Sequence, residues 1–174
     1  CDYYQSGSVS LGPYHDVLPF VYYMSEEDAQ NNVPWSQYFY EYDENDLNGN
    51  HAAEALGMPA EEVFKTLVAR GEKTGINVFC IPVCCELDLK KAAKAAGDKN
   101  MELIPVKELL GLTGYIRGGC SPVGMKKKYP TFFDETCILW NEIAVSAGAR
   151  GHQMILPVEA LVQLADAEIK DIIA

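Results

Sequence analysis

Between Thr113 and Gly124 the chain reads Thr-Gly-Tyr-Ile-Arg-Gly-Gly-Cys-Ser-Pro-Val-Gly. With no Cβ on Gly118 or Gly119, backbone N–H groups can approach a ligand closely. Ser121 adds a hydroxyl, and Pro122 stiffens the turn that runs to Gly124. Such a segment can build an anion nest or an oxyanion hole. A plain tight turn has the same composition, so both readings stay open. A phosphate-binding P-loop is excluded. Gly119 and Gly124 have its spacing, but Met125 intervenes before Lys126 and no Ser or Thr follows. A second glycine segment, Gly148-Ala-Arg150-Gly151, lacks the dinucleotide fingerprint and offers either another backbone wall or another turn.

Cations are the next chemical resource. Lys65 stands between Phe64 and Leu67 in a β-prone run, where a lysine is ordinarily an outward, solvated residue. Lys126, Lys127 and Lys128 form the densest basic run in the chain, directly beside the glycine segment. A triple lysine is either solvated surface or a local anion patch.

Nucleophiles are poorly supplied. Cys120 lies inside the glycine segment without a histidine near it in sequence, which leaves only a distant pairing with His152. Cys84 and Cys85 follow an apolar run and read as buried, inert thiols. The six cysteines show no paired C-x-x-C spacing, so reduced thiols are expected. Cys80, Cys84 and His51 are the best set for zinc, but they form no local ligand motif, and no metal or cofactor is expected.

The elements that must carry these residues read as short strands and short helices in alternation. Gln37–Tyr42 is β-prone and Asp43–Asn50 turn-rich. Ser25–Asp28 can cap a short helix over Glu26–Asn31. A helix ends at Gly57, and Pro59–Val63 opens another helical turn. Phe64–Ala69 and Ile76–Val83 are strands joined through Gly71–Gly75, a hairpin signal. Leu87–Ala96 has helical spacing, with Lys90, Lys91 and Lys94 on another face. A strand over Met101–Ile104 and a helix over Pro105–Leu110 follow. Gly111–Gly124 reads as loop around one strand, Gly114–Arg117. Further strands fall at Thr131–Phe133, Ile143–Ser146 and His152–Leu156. A helix over Pro157–Leu164 and a short element at Ala167–Ile173 close the chain. The mixture, with at least one hairpin, predicts an α/β or α+β sheet.

Composition sets the outer limits. The chain has 174 residues, 48% hydrophobic and 22% charged, which fits one globular domain and excludes wholesale disorder. It contains no apolar run of about 18 residues, and the stretch Val17–Met24, broken by Pro19 and with no basic residue before it, is a poor signal peptide. A cytoplasmic protein without a membrane partner is expected. Net charge is −11 and unevenly spread. Residues 1–64 hold 12 Asp or Glu and no Lys or Arg, and 8 of the 10 tyrosines. Residues 65–174 hold 14 Lys or Arg against 13 acidic residues. Nonspecific binding to polyanions is therefore disfavoured, while a local basic patch remains open.

Four ordered motifs carry a resemblance. Phe64-Lys-Thr-Leu-Val, Glu86-Leu-Asp-Leu-Lys-Lys-Ala-Ala, Thr113-Gly-Tyr with Arg117-Gly-Gly-Cys-Ser-Pro-Val-Gly, and Val145-Ser-Ala-Gly-Ala-Arg-Gly closely resemble the YbaK/EbsC family. These are free-standing aminoacyl-tRNA editing domains, typically Cys-tRNA(Pro) deacylases, related to the editing insert of bacterial prolyl-tRNA synthetases. The likeness spans about residues 37–174. Residues 1–35 are an atypical lead, lacking the amphipathic helix with which the family normally begins, and 36–174 are the domain.

The resemblance implies a single compact domain with a central mixed, barrel-like sheet flanked by short helices. It also implies a pocket for the aminoacyl group on the 3′ end of mischarged tRNA(Pro), with prolyl-tRNA synthetase as a further partner. Lys65 aligns with the lysine on which family activity depends, and Gly118, Gly119 and Ser121 join it as catalytic positions. Phe64, Cys120, Pro122, Gly124, Ser146, Gly148, Arg150 and Gly151 align with the pocket walls, and Tyr42 with a tyrosine near the tRNA end. Lys126, Lys127 and Lys128 are expected to meet the tRNA. The missing triad then has a reason, because a cysteinyl ester carries its own thiol nucleophile. An Ala-tRNA(Pro) deacylase using water, and a non-catalytic tRNA-binding module, are the competing functions.

Overall fold

The computed structural model describes residues 39–41 and 49–174. The chain divides into two units, Cys1–Phe39 and Tyr40–Ala174, and every described residue except Phe39 lies in the second. Tyr42, the Asp43–Asn50 turn up to residue 48 and the Glu26–Asn31 helix lie outside the described residues.

Eight strands form one mixed sheet in the order β1-β7-β6-β2-β3-β5-β8, with β4 paired to β2 off that path. β1 is Phe39–Glu41, β2 Val63–Gly71, β3 Gly75–Pro82 and β4 Met101–Leu103. β5 is Thr131–Asp134, β6 Glu142–Ser146, β7 His152–Pro157 and β8 Ala167–Lys170. The path does not close on itself, so the expected barrel-like sheet is a curled half-barrel. Among the described residues four α-helices flank it: α1 Gly49–Leu56, α2 Leu89–Ala96, α3 Val106–Thr113 and α4 Val158–Leu164.

The β2–β3 hairpin is the spine. Its antiparallel register runs from Phe64 opposite Pro82 to Gly71 opposite Gly75. Asp98 ties the hairpin tip: its Oδ2 accepts from Lys73 N and Thr74 N at 2.8 Å each, and from Thr74 Oγ1 at 2.9 Å. β6 runs parallel to β2, with Val63 opposite Ala144 and Phe64 opposite Val145. A tight turn at Gly148–Gly151 lets β7 return antiparallel to β6, with Ser146 opposite Gln153. β5 continues the sheet parallel to β3, and β8 parallel to β5.

α2 starts on Asp88, whose side chain accepts from Lys90 N and Lys91 N. It stops at Gly97, whose φ of 73° lies in the left-handed region that glycine tolerates. Its Ala92 and Ala93 pack with Ala69, Phe79, Ile81, Phe132 and Ile172 in the main core. Phe79 and Phe132 stack there at 5.4 Å between centroids. A smaller cluster of Ala52, Ala53, Val63 and Ala144 seats α1 on β2 and β6. Asp134 is fully buried yet satisfied, its Oδ1 accepting from Thr136 and its Oδ2 from Ile172 N at 3.0 Å.

Two expected elements differ. Gly114–Arg117 is not a strand, because α3 runs on to Thr113, ends at Gly114 with φ 88°, and the chain enters a turn in which Gly119 N donates to Ile116 O. Gly111 reads as the end of the helix, but it lies inside α3, and the helix stops at the next glycine, Gly114. Pro59–Val63 makes one turn, closed by Glu62 N donating to Pro59 O, before Val63 joins β2.

Candidate active site

The pairing of β2 with β6 brings three distant segments to one place. A cavity of about 270 Å³ is lined by Phe64, Lys65, Thr66 and Val83 from the hairpin, by Arg117, Gly118 and Cys120 from the glycine segment, and by Ser146 and Gln153 from β6 and β7. Ala52 of α1 and Val63 and Leu67 of β2 complete the wall. Other hollows exist, but this one brings Lys65 of the hairpin to the Gly118 backbone and the buried Ser146.

Lys65 is one of two cations at this cavity, with Arg117. Its side chain is 28% exposed, its Nζ donates to Val83 O at 3.3 Å, and Glu86 Oε1 lies 3.5 Å away. The solvated-strand reading of Lys65 thus gives way to a half-buried ammonium held over a hollow. Phe64 is buried behind it, with its ring 6.3 Å from that of Phe133.

The two glycine segments pack as one unit, of which Arg117, Gly118 and Cys120 of the first line the cavity, because each needs the other's missing side chains. A Cβ on Gly119 would stand 3.0 Å from Ala149 C and 3.2 Å from Arg150 N. Arg150 Nε donates to Arg117 O at 3.0 Å across the same seam. Tyr115 braces both: its hydroxyl donates to Val123 O at 2.5 Å, and a Cβ on Gly148 would meet its ring at 3.0 Å. Burial pushes the Tyr115 phenol up to about 12, so this donor keeps its proton at neutral pH. Gly118 at φ 87° and Gly151 at φ 74° turn the backbone where a side chain would be strained.

The other expected site residues separate. Ser121 is buried, and its Oγ accepts from Val123 N at 3.2 Å, fixing the turn outside the cavity lining. Pro122 and Gly124 line a neighbouring groove with Lys127 and Lys128. Lys126 bends back on α3, its Nζ donating to Leu110 O at 3.4 Å and its stem packed on Gly114. Lys128 faces Asp166 at 3.6 Å, both well exposed. Ser146 is 8% exposed, and its Oγ has no hydrogen-bond partner among the described residues. Thr66, Arg117, Gln153 and the brace Tyr115 were not singled out by the sequence. The Thr113-Gly-Tyr motif held Tyr115, but nothing in its composition marked a ring wedged between two loops.

The thiols also sort themselves. Cys120 is buried, and burial pushes its thiol up to about 12, against a smaller opposing effect from a hydrogen bond with Thr113. Cys80 is fully buried and raised further for the same reason. Cys84, expected to be buried, is exposed, and Cys85 is half-buried, because β3 ends at Pro82 and the pair sits in the loop beyond it. Among the described residues no group of three metal-ligating side chains exists.

Comparison with known proteins gives this arrangement a family. The model of the aminoacyl-tRNA editing domain matches residues 49–164. The chain belongs to the aminoacyl-tRNA editing domain family. This editing domain is 46% identical over 143 residues to EbsC of Enterococcus faecalis (strain ATCC 700802 / V583), provisionally named a Cys-tRNA(Pro)/Cys-tRNA(Cys) deacylase. That match covers 82% of this chain and 87% of the relative. It is 29% identical over 106 residues to a proline–tRNA ligase of Shouchella clausii (strain KSM-K16), covering 61% of this chain and 18% of the ligase. A crystal structure provisionally described as a trans-editing enzyme for prolyl tRNA synthetase superposes with a TM-score of 0.73 and 27% identity, over 78% of this chain and 85% of its own. The editing domain's mixed sheet is that of its solved relative. No helix among the described residues is long and apolar enough to cross a membrane.

Proposed function

We propose that this protein is a trans-editing deacylase that clears mischarged Cys-tRNA(Pro), with the substrate's own thiol as nucleophile. One observation carries the mechanism: the cavity joins an ammonium to glycine backbone and contains no competent protein nucleophile. Its one thiol, Cys120, is pushed up to about 12 by burial, which keeps it protonated at neutral pH. Kinship with EbsC supports the substrate class.

The cysteinyl sulfur attacks the carbonyl carbon of its own ester, forming the S–C bond and a tetrahedral oxyanion. Collapse breaks the C–O bond to the ribose, and the proton from the thiol ends on the leaving ribose oxygen. The released thiolactone is hydrolysed by water to free cysteine. The attack is intramolecular, so the protein need only hold the aminoacyl group folded and stabilise the oxyanion. Gly119 N is already committed to Ile116 O, so the backbone donors fall to Gly118 and Cys120, both in the cavity wall. Lys65 positions the aminoacyl end, and Ser146 Oγ gives a buried hydroxyl to its polar groups. Lys127 and Lys128, beside the second groove, meet the tRNA backbone. Prolyl-tRNA synthetase is the natural source of the mischarged substrate, and such a reaction belongs in the cytoplasm.

The deciding experiment measures deacylation of Cys-tRNA(Pro), Ala-tRNA(Pro) and Cys-tRNA(Cys) side by side. Fast release from both cysteinyl substrates and slow release from Ala-tRNA(Pro) is expected. Equal rates on Ala-tRNA(Pro) would replace the thiol mechanism with water attack. No deacylation of any substrate would leave a binding module.

A further inference from the structure

Two thiols that the reaction does not use stand together in the loop that follows Val83, a residue of the cavity lining. Cys84 Sγ lies 3.8 Å from Cys85 Sγ. Cys84 is exposed and Cys85 half-buried, whereas Cys80, Cys120 and Cys137 are buried. The pair occupies the loop between the two groups that hold Lys65. On one side Val83 O accepts from Lys65 Nζ at 3.3 Å, and on the other Glu86 Oε1 lies 3.5 Å from it. Burial, then the adjacent Cys84 and Asp134, push the Cys85 thiol up, against a smaller opposing effect of the Lys65 charge. Cys84 is the accessible partner.

We propose that Cys84 and Cys85 form an oxidisable dithiol site, closed to a vicinal disulfide by a peroxide-class oxidant, whose closure moves Lys65 and halts editing. The effect on editing rests on the deacylase reading above, while the dithiol itself does not. In the first step the Cys84 thiolate attacks a peroxide oxygen. The S–O bond forms, the O–O bond breaks, and the departing hydroxide takes up the thiol proton as water. Cys85 sulfur then attacks the Cys84 sulfenic acid. The S–S bond forms, the S–O bond breaks, and hydroxide leaves with the Cys85 proton as a second water. Two thiols lose two electrons, and one peroxide gains them. A dithiol reductant reverses the closure.

A disulfide needs the sulfurs about 2.05 Å apart. They must therefore close by nearly half their present 3.8 Å separation. Because the residues are adjacent, the strain falls on the loop itself. Val83 N is anchored to Val63 O at 2.8 Å and Glu86 O to Ala174 N at 3.0 Å, so the change is concentrated between the two Lys65 contacts. A misplacement of about 1 Å at a reacting group costs on the order of 10²-fold in rate.

The test treats the full chain with hydrogen peroxide and removes it before adding Cys-tRNA(Pro), so that the substrate thiol stays reduced. The peptide holding both cysteines is expected to lose two hydrogens. Deacylation should fall by about 10- to 100-fold and return with dithiothreitol. The Cys84→Ser/Cys85→Ser double variant should edit normally and resist peroxide. A peptide that stays reduced or carries only sulfinic acid overturns the dithiol site. A closed disulfide with an unchanged rate, or equal inactivation of the double variant, overturns the coupling to Lys65. If the untreated protein deacylates nothing, the functional reading fails on its own. Peptide mass then still decides the site, and the reactivity of the Lys65 amine toward an acylating reagent, oxidised against reduced, decides the coupling.

Discussion

Gly119→Ala tests whether the two glycine segments act as one wall. Its backbone is not in the left-handed region, so the substitution adds only a methyl group and no conformational strain. That methyl would stand 3.0 Å from Ala149 C, 3.1 Å from Ala149 Cα and 3.2 Å from Arg150 N. The first distance is about 0.4 Å short of ordinary van der Waals contact, and every neighbour is backbone. The Ala149 segment cannot swing aside freely, because His152 N donates to Ala149 O at 3.3 Å and Arg150 Nε to Arg117 O at 3.0 Å. Overpacking of this kind costs about 1–3 kcal/mol. For a chain of this length that lowers Tm by roughly 2–12 °C. If about 1 Å of misplacement costs on the order of 10²-fold, a shift of about 0.4 Å costs roughly five- to tenfold in kcat/KM. Steady-state deacylation of Cys-tRNA(Pro), with thermal unfolding in parallel, measures both. Gly97→Ala is the control: at φ 73° with open space around its Cβ, it costs about 1–2 kcal/mol but touches no part of the cavity. A Gly119→Ala protein with the parent's kcat/KM, or a Gly97→Ala protein equally impaired, would refute the shared-wall argument.

Lys65→Ala should lower deacylation by on the order of 10²–10³-fold. The protein should stay folded, since the ion pair with the largely exposed Glu86 contributes under about 1 kcal/mol. Lys65→Arg should be damaging too, because a planar fork does not replace a compact ammonium, and a fully active folded Lys65→Ala protein would remove the lysine from the mechanism. Cys120→Ala should keep its rate within about threefold, under 1 kcal/mol in the barrier, and a folded but inactive variant would instead indicate a protein nucleophile. Lys127→Ala with Lys128→Ala should weaken tRNA binding and flatten its salt dependence by about two phosphate contacts, whereas an unchanged slope in a binding titration would discard the patch. Asp98 tests the hairpin tip by pH. The Thr74 backbone N–H, with those of Lys73 and Lys99, holds its carboxyl well below the usual carboxylate range. The lowered value means that the ionised form stabilises the fold above the ordinary carboxylate pKa and that this is lost as pH falls through the lowered one. Asp98→Ala should therefore unfold more readily than the parent near pH 7, with the gap narrowing in acid unfolding curves, and a gap that is constant with pH would contradict it.

The local elements were legible wherever a residue type imposes its own geometry. Gly71 and Gly75 marked the β2–β3 hairpin, Gly97 marked the end of α2 while its Asp88 cap was read as part of the helix, and the Ile143–Ser146 and His152–Leu156 runs gave β6 and β7 almost to the residue. The glycine segments were legible as backbone resources, because only glycine permits such close approach. Tertiary structure decided what those resources face. Gly114–Arg117 looked like a strand because Tyr115 and Ile116 are β-prone, but α3 consumed the residues before them and the turn at Ile116–Gly119 took the rest. Lys65 had the sequence of a solvated strand residue. It became a pocket residue because the parallel pairing of β2 with β6, 81 positions apart in register, closes the Ser146 end of β6 over it. Cys84 and Cys85 read as buried because they follow an apolar strand, yet the strand stops at Pro82 and leaves Cys84 exposed. A sequence carries residue types and local spacing. Which groups lie within a few ångströms is set by nonlocal pairing of strands, and each such pairing is a packing solution of the whole sheet.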